Sequence, residues 1–148
     1  MMRLQNTATK VLIAAVSKSA ASTATGYVDT LAMGSEVAID VQMDSQASTT
    51  SNPSIFKLEE CEDTSVSNAV AITGLTGDAT DGFTIAAANS VTPYITRLNL
   101  KLGIRKRYLH LTISPTGTTG IIAAHATFGR LRETTLGRAK MQQVVDKA

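Results

Sequence analysis

Apolar side chains fall on every second residue through much of this chain. In Glu36–Met43 the odd positions Val37, Ile39, Val41 and Met43 are apolar and the even ones mostly polar. Leu98, Leu100, Leu102 and Ile104 alternate with Arg97, Asn99, Lys101 and Gly103. Leu109, Leu111 and Ile113 alternate with Tyr108, His110, Thr112 and Ser114, and Ile122, Ala124, Ala126 and Phe128 with Ile121, Ala123, His125 and Thr127. A shorter run, Ile55–Glu59, follows the same rule. Successive residues of a pleated strand point to opposite faces, so each run predicts a strand buried on one side. Residues 9–16 and 22–31 are weaker strand candidates. The polar, Gly- and Pro-bearing stretches 44–54, 73–82 and 114–120 read as loops.

Strands recurring between turn signals, with no helical pattern among them, predict an all-β fold. The pattern fits antiparallel sheets packed as a sandwich or a barrel, and the expected architecture is an antiparallel, jelly-roll-like β-sandwich over residues 1–129, beginning with an extended N-terminal arm. Residues 107–128 are expected to fold back as a hairpin around 114–121, which pairs position 110 with position 125. From Thr134 the period changes. Leu136, Met141, Val144 and Val145 fit one face of a helix that Thr134 or Thr135 can cap, so residues 130–148 read as a basic tail that is either helical from Thr134 or frayed. Both chain ends, 1–10 and 130–148, are expected to order only in an assembly.

Composition sharpens this picture. Ser and Thr total 33 of 148 residues, a density of small β-tolerant side chains that suits sheets better than helical bundles. Aromatic residues are 4% and Trp is absent, which leaves few faces for stacking on single-stranded nucleic acid. The single cysteine, Cys61, excludes an internal disulfide. No run approaches the ~18 apolar residues of a membrane span. Val11–Val16 behind Arg3 and Lys10 has the outline of a secretion leader, but its apolar core is shorter than the usual ~7–15 residues and reads as a first strand.

Charge is divided along the chain. Residues 29–89 carry ten acids against Lys57 alone, giving −9, and residues 97–148 carry ten bases against Glu133 and Asp146, giving +8. The two halves either neutralise each other in the fold or sit on different faces and attract other molecules. A balancing acidic half is unusual in a nucleic-acid binder, so no direct nucleic-acid partner is expected.

Candidate chemistry is thin. His110 and His125, side by side in the expected hairpin, supply two ligands where zinc needs three or four. Glu59, Glu60, Glu62 and Asp63 surround Cys61 and read as a solvated strand end. Asp78 and Asp81 lack the spacing of a calcium loop. No GxSxG, Walker or GxGxxG motif occurs. The expectation is therefore no catalytic residues, no cofactor and no metal. Arg105, Lys106 and Arg107 fall where two strands should meet, as a hairpin tip or a docking point for an acidic partner. With Arg130, Arg132 and Arg138 of the tail, they are the expected partner-facing residues.

The order of segments resembles that of small tailed-phage head decoration, or cement, proteins. Thr25-Gly26-Tyr27-Val28-Asp29 precedes the alternating strand Val37–Met43. Ile55-Phe56-Lys57-Leu58-Glu59-Glu60-Cys61-Glu62-Asp63 is similar to the "KLQESDD" segment of such proteins, and Lys106-Arg107-Tyr108-Leu109-His110-Leu111-Thr112 to their "RRYIR" strand. The resemblance covers roughly residues 9–129; the basic tail departs from it. It implies a β-sandwich on the outside of a capsid, bound to the major capsid protein, self-associated as a dimer or trimer, made in the host cytoplasm and carried on the virion. A tail-tube or other minor virion subunit and a sandwich-type binding module are the alternatives.

Overall fold

A computed structural model describes residues 8–19, 22–44, 53–77, 80–85, 94–115, 120–129 and 143–147. Among them, nine strands and no helix occur: β1 (Ala8–Lys18), β2 (Ala24–Asp29), β3 (Glu36–Met43), β4 (Ile55–Cys61), β5 (Val70–Thr76), β6 (Tyr94–Lys101), β7 (Tyr108–Ser114), β8 (Gly120–Phe128) and β9 (Gln143–Lys147). They form two sheets, in the orders β1-β8-β3-β6-β9 and β2-β7-β4-β5. Every named pairing is antiparallel except β6 with β9. Within the first eight strands only β4 and β5 are neighbours in both sequence and sheet; every other step crosses from one sheet to the other. That strand order is a jelly roll, as the sequence led one to expect.

The alternation explains the core. Val37, Ile39, Val41 and Met43 of β3 line up with Ile122, Ala124, Ala126 and Phe128 of β8 and with Leu98 and Leu100 of β6. They form one buried cluster with Leu109, Leu111 and Ile113 of β7 and with Phe56 and Leu58 of β4. Each such Leu, Ile or Phe stabilises the fold by about 1.5–3 kcal/mol through burial. Phe56 and Phe83 meet edge to face at 5.3 Å between centroids. Bulges in β1 between Val11 and Ile13 and between Ile13 and Val16 turn the strand, so that Leu12 and Ile13 are both buried. Beside them β2 comes so close that a Cβ on Gly26 would lie 1.7 Å from the Leu12 carbonyl oxygen. Only glycine fits at that corner.

Five expectations are corrected. β7 and β8 lie in opposite sheets, so the 107–128 hairpin does not exist and position 110 does not face position 125. His110 stands opposite Tyr27 and Glu59, and His125 opposite Val11 and Asp40. Alternation fixes which face of a strand is buried, but a short loop can serve a hairpin or a step between sheets. Likewise β6 ends at Lys101, and residues 102–107 arch between sheets rather than tip a hairpin. Residues 73–76, read as loop from their glycine, belong to β5; Gly74 takes φ 85° beside a register shift against β4. Residues 143–147 of the tail, read as helical or frayed, are strand β9, paired in parallel along Thr96–Leu100. The rest of the tail, 130–142, lies outside the described residues. Residues 8–10 and 143–147, expected to order only on assembly, are strand in the single chain.

Candidate functional site

Three loops gather at one end of the sandwich: residues 30–35, 62–69 and 102–107. Backbone bonds fasten the first to the third. Thr30 N–H donates to the Arg107 carbonyl at 2.9 Å, and Leu102 N–H to the Ser35 carbonyl at 2.8 Å. The Thr30 hydroxyl donates to the same Arg107 carbonyl at 2.7 Å. Arg107 then grips Asp29 at the end of β2, with Nη2 2.7 Å from Oδ2 and Nε 3.1 Å from Oδ1. The Arg107 guanidinium and the Leu31 N–H hold the Asp29 carboxyl down at about 2. The same guanidinium lies 5.0 Å from the centre of the Tyr108 ring, which meets Tyr27 edge to face.

The rest of the basic triplet is also paired within the chain. Lys106 N–H donates to Glu60 Oε2 at 3.3 Å, and Arg105 Nη1 lies 3.8 Å from that oxygen. Lys106 Nζ lies 3.7 Å from Glu62 Oε1 and donates to the Asn68 carbonyl at 3.4 Å. Arg105 Nε is buried with no hydrogen-bond partner among the described residues. Here three bases of the basic half meet Glu60, Glu62 and Asp29 of the acidic half.

Among the exposed polar side chains of this end, such as Glu62, Asp63 and Asn68, two large apolar ones also face outward. Ile104 is 85% exposed and Leu31 61% exposed, on adjacent loops. The Leu31 loop is tightly turned: Met33 N–H donates to the Thr30 carbonyl at 3.1 Å, and Ala32 holds φ 60°. That left-handed backbone costs a residue with a Cβ about 1–2 kcal/mol, offset by the bonds that lock the loop. Alternation placed Ile104 on the buried face of a longer strand. Leu31 closed the strand candidate 22–31, but β2 ends at Asp29 and leaves it in the loop. Arg130, Arg132 and Arg138 lie outside the described residues.

The outer sheet faces carry two further ion clusters. On the first sheet, buried Asp40 accepts a bidentate pair from Arg97 at 2.6 and 2.7 Å, with His125 Nε2 3.7 Å away. On the second, buried Glu59 lies 3.1 Å from His110 Nδ1 and 2.7 Å from Lys57 Nζ. Burial pushes the Glu59 carboxyl up, but the bonds from Lys57 and His110 outweigh it and the net shift is downward. The acidic segment is thus no solvated strand end throughout: Glu59 and Cys61 are both buried. Burial, seconded by the Asp63 and Glu59 charges, pushes the Cys61 thiol up, and Sγ lies 3.8 Å from the Tyr108 carbonyl it faces. A thiol held protonated is a poor nucleophile.

Among the described residues, no three His, Cys, Asp or Glu side chains are placed to hold a metal. An open depression of about 450 Å³ lies beside Ala15, Gln42, Ile121 and Ala123, and among its described lining residues Asp44 alone is titratable. No protein-family model matches the sequence, and the search of curated proteins finds no match to it.

Proposed function

We propose that this chain is a capsid decoration protein, a virion structural subunit that binds the outside of a phage head and stabilises its lattice. The observation that carries this reading is the strand order, since the eight-stranded double-sheet jelly roll is an architecture of viral capsid domains. The loop end supports it. Leu31 and Ile104 offer two apolar contacts on a base stiffened by the Asp29–Arg107 and Glu60–Lys106 bonds. In this reading Lys106 and Arg107 brace the loops, and Arg105 waits beside them with one donor unpaired. Arg130, Arg132 and Arg138 add electrostatic attraction to the major capsid protein. No bond is made or broken. The chain stabilises the shell by binding the assembled lattice better than its free subunits. Many weak sites suffice, because a dimer or trimer engages several capsid subunits at once.

The test is to mix purified protein with capsids assembled from a major capsid protein of the same genome, sought as part of the experiment, then sediment them and image the shell. Density repeating with the lattice, together with a higher capsid melting temperature, is expected. Protein left in the supernatant at every concentration, or forming tubes by itself as a tail-tube subunit would, overturns the reading.

A further inference from the structure

The aromatic rings of the described residues fall into two groups. Phe56, Phe83 and Phe128 belong to the core, whereas Tyr27 and Tyr108 sit side by side on the outer face of the β2-β7-β4-β5 sheet. Register puts them there. Tyr27 stands opposite His110 and Asp29 opposite Tyr108, while Val28 and Leu109 between them point into the core. Tyr27 is 51% exposed, although a buried tyrosine ring would stabilise the fold. The two rings meet edge to face, 6.2 Å between centroids at 81°, and the Arg107 guanidinium packs on Tyr108 in turn. A ring braced in this way loses little side-chain freedom when a ligand lies on it.

The polar groups beside the rings are braced too. Asp29 clamps Arg107, and Lys57 and His110 both hold Glu59. His110 commits Nδ1 to Glu59 at 3.1 Å, and its Nε2 has no hydrogen-bond partner among the described residues.

Three properties select the ligand. It is extended, because β2 is an edge strand and a chain molecule can run past Tyr27 and on across β7 and β4. It is neutral, because the charges of Asp29 and Glu59 are balanced by Arg107 and Lys57 and leave no field to gather a polyanion. It is rich in hydroxyls. The core of a protein interface is depleted of charge, and apolar side chains laid over these ion pairs would strip their water without replacing it. A sugar chain replaces that water with its own hydroxyls, while the C–H bonds of a pyranose ring pack against the negative face of the tyrosine.

We infer that Tyr27, Tyr108, His110 and the Asp29–Arg107 pair form a binding site for a neutral oligosaccharide chain. The inference goes beyond the proposed capsid attachment and does not rest on it, since Leu31 and Ile104 take no part.

The full-length protein, labelled with heavy nitrogen, tests it by NMR titration with maltohexaose, cellohexaose, chitohexaose and mannohexaose, and with heparin as the polyanion. Saturable shifts of the Tyr27 and His110 amides with one or more of the neutral sugars are expected. Tyr27→Ala should weaken that sugar about tenfold or more, and Tyr27→Phe, which keeps the ring, should bind nearly as the parent does. Both variants should melt near the parent temperature, because the ring is exposed. No shift with any of the neutral sugars overturns the inference, as do shifts that Tyr27→Ala leaves unchanged. Shifts with heparin alone overturn it in favour of an anion. Shifts of the same amides on concentrating the protein without sugar overturn it in favour of a second copy on this face.

Discussion

The Asp29–Arg107 pair is the sharpest electrostatic feature of single residues. A carboxyl held at about 2, below its ordinary 3.8, contributes stability that is full above the ordinary value and fades as pH falls toward 2. Arg107→Gln should raise the Asp29 titration from about 2 toward its ordinary 3.8, with the Leu31 N–H still holding it lower, read by carboxyl NMR, and should weaken the acid limb of the stability curve between those values. Glu59 follows the same sign: its lowered carboxyl favours the fold above the ordinary value of 4.5, and that contribution is lost on acidification. His110→Ala takes a hydrogen-bonding partner from this buried carboxylate. It should cost about 1–3 kcal/mol in urea unfolding at neutral pH. Neither pair was legible in the sequence, because each joins residues dozens of positions apart on strands whose pairing the alternation does not specify.

Elements were read unevenly. β3 and β7 match the alternating runs residue for residue, and β8 is longer by Gly120 alone. Their patterns are clean because apolar side chains fill the face between the sheets and mostly polar ones the other, although β7 and most of β3 are buried on both faces. β5 escaped because Gly74 and the irregular pairing with β4 break the period. β9 escaped because Val144 and Val145 fit a helix face as well as a strand, and tertiary pairing decides between them. Which strands pair was not legible either, since a loop of a few residues fits a hairpin and a step between sheets equally well. The Gly26 corner gives an element-scale prediction. Gly26→Ala sets a methyl against the Leu12 carbonyl, an immovable backbone atom, so β1 and β2 must part. The expected outcome is a loss above the ~1–3 kcal/mol of ordinary overpacking, seen as a large drop in melting temperature or failure to fold.

At the scale of the whole molecule, the proposed docking predicts separable contributions from the loop end and the tail. Leu31→Asp with Ile104→Asp should lower occupancy on capsids at least tenfold while leaving the melting temperature near that of the parent, because both side chains are exposed. Arg130→Glu, Arg132→Glu and Arg138→Glu together should weaken attachment chiefly at low salt, where charge is least screened. Occupancy unchanged across a salt series would remove the tail from that account. The strand order has one more consequence, for synthesis. β8 is the strand between β1 and β3, and β7 the strand between β2 and β4. The middle of each sheet is therefore the last part of the body to leave the ribosome, and the earlier strands wait with their edges open. A fragment ending at residue 104 should show no cooperative melt, and the nascent chain should depend on chaperones until its final third has emerged.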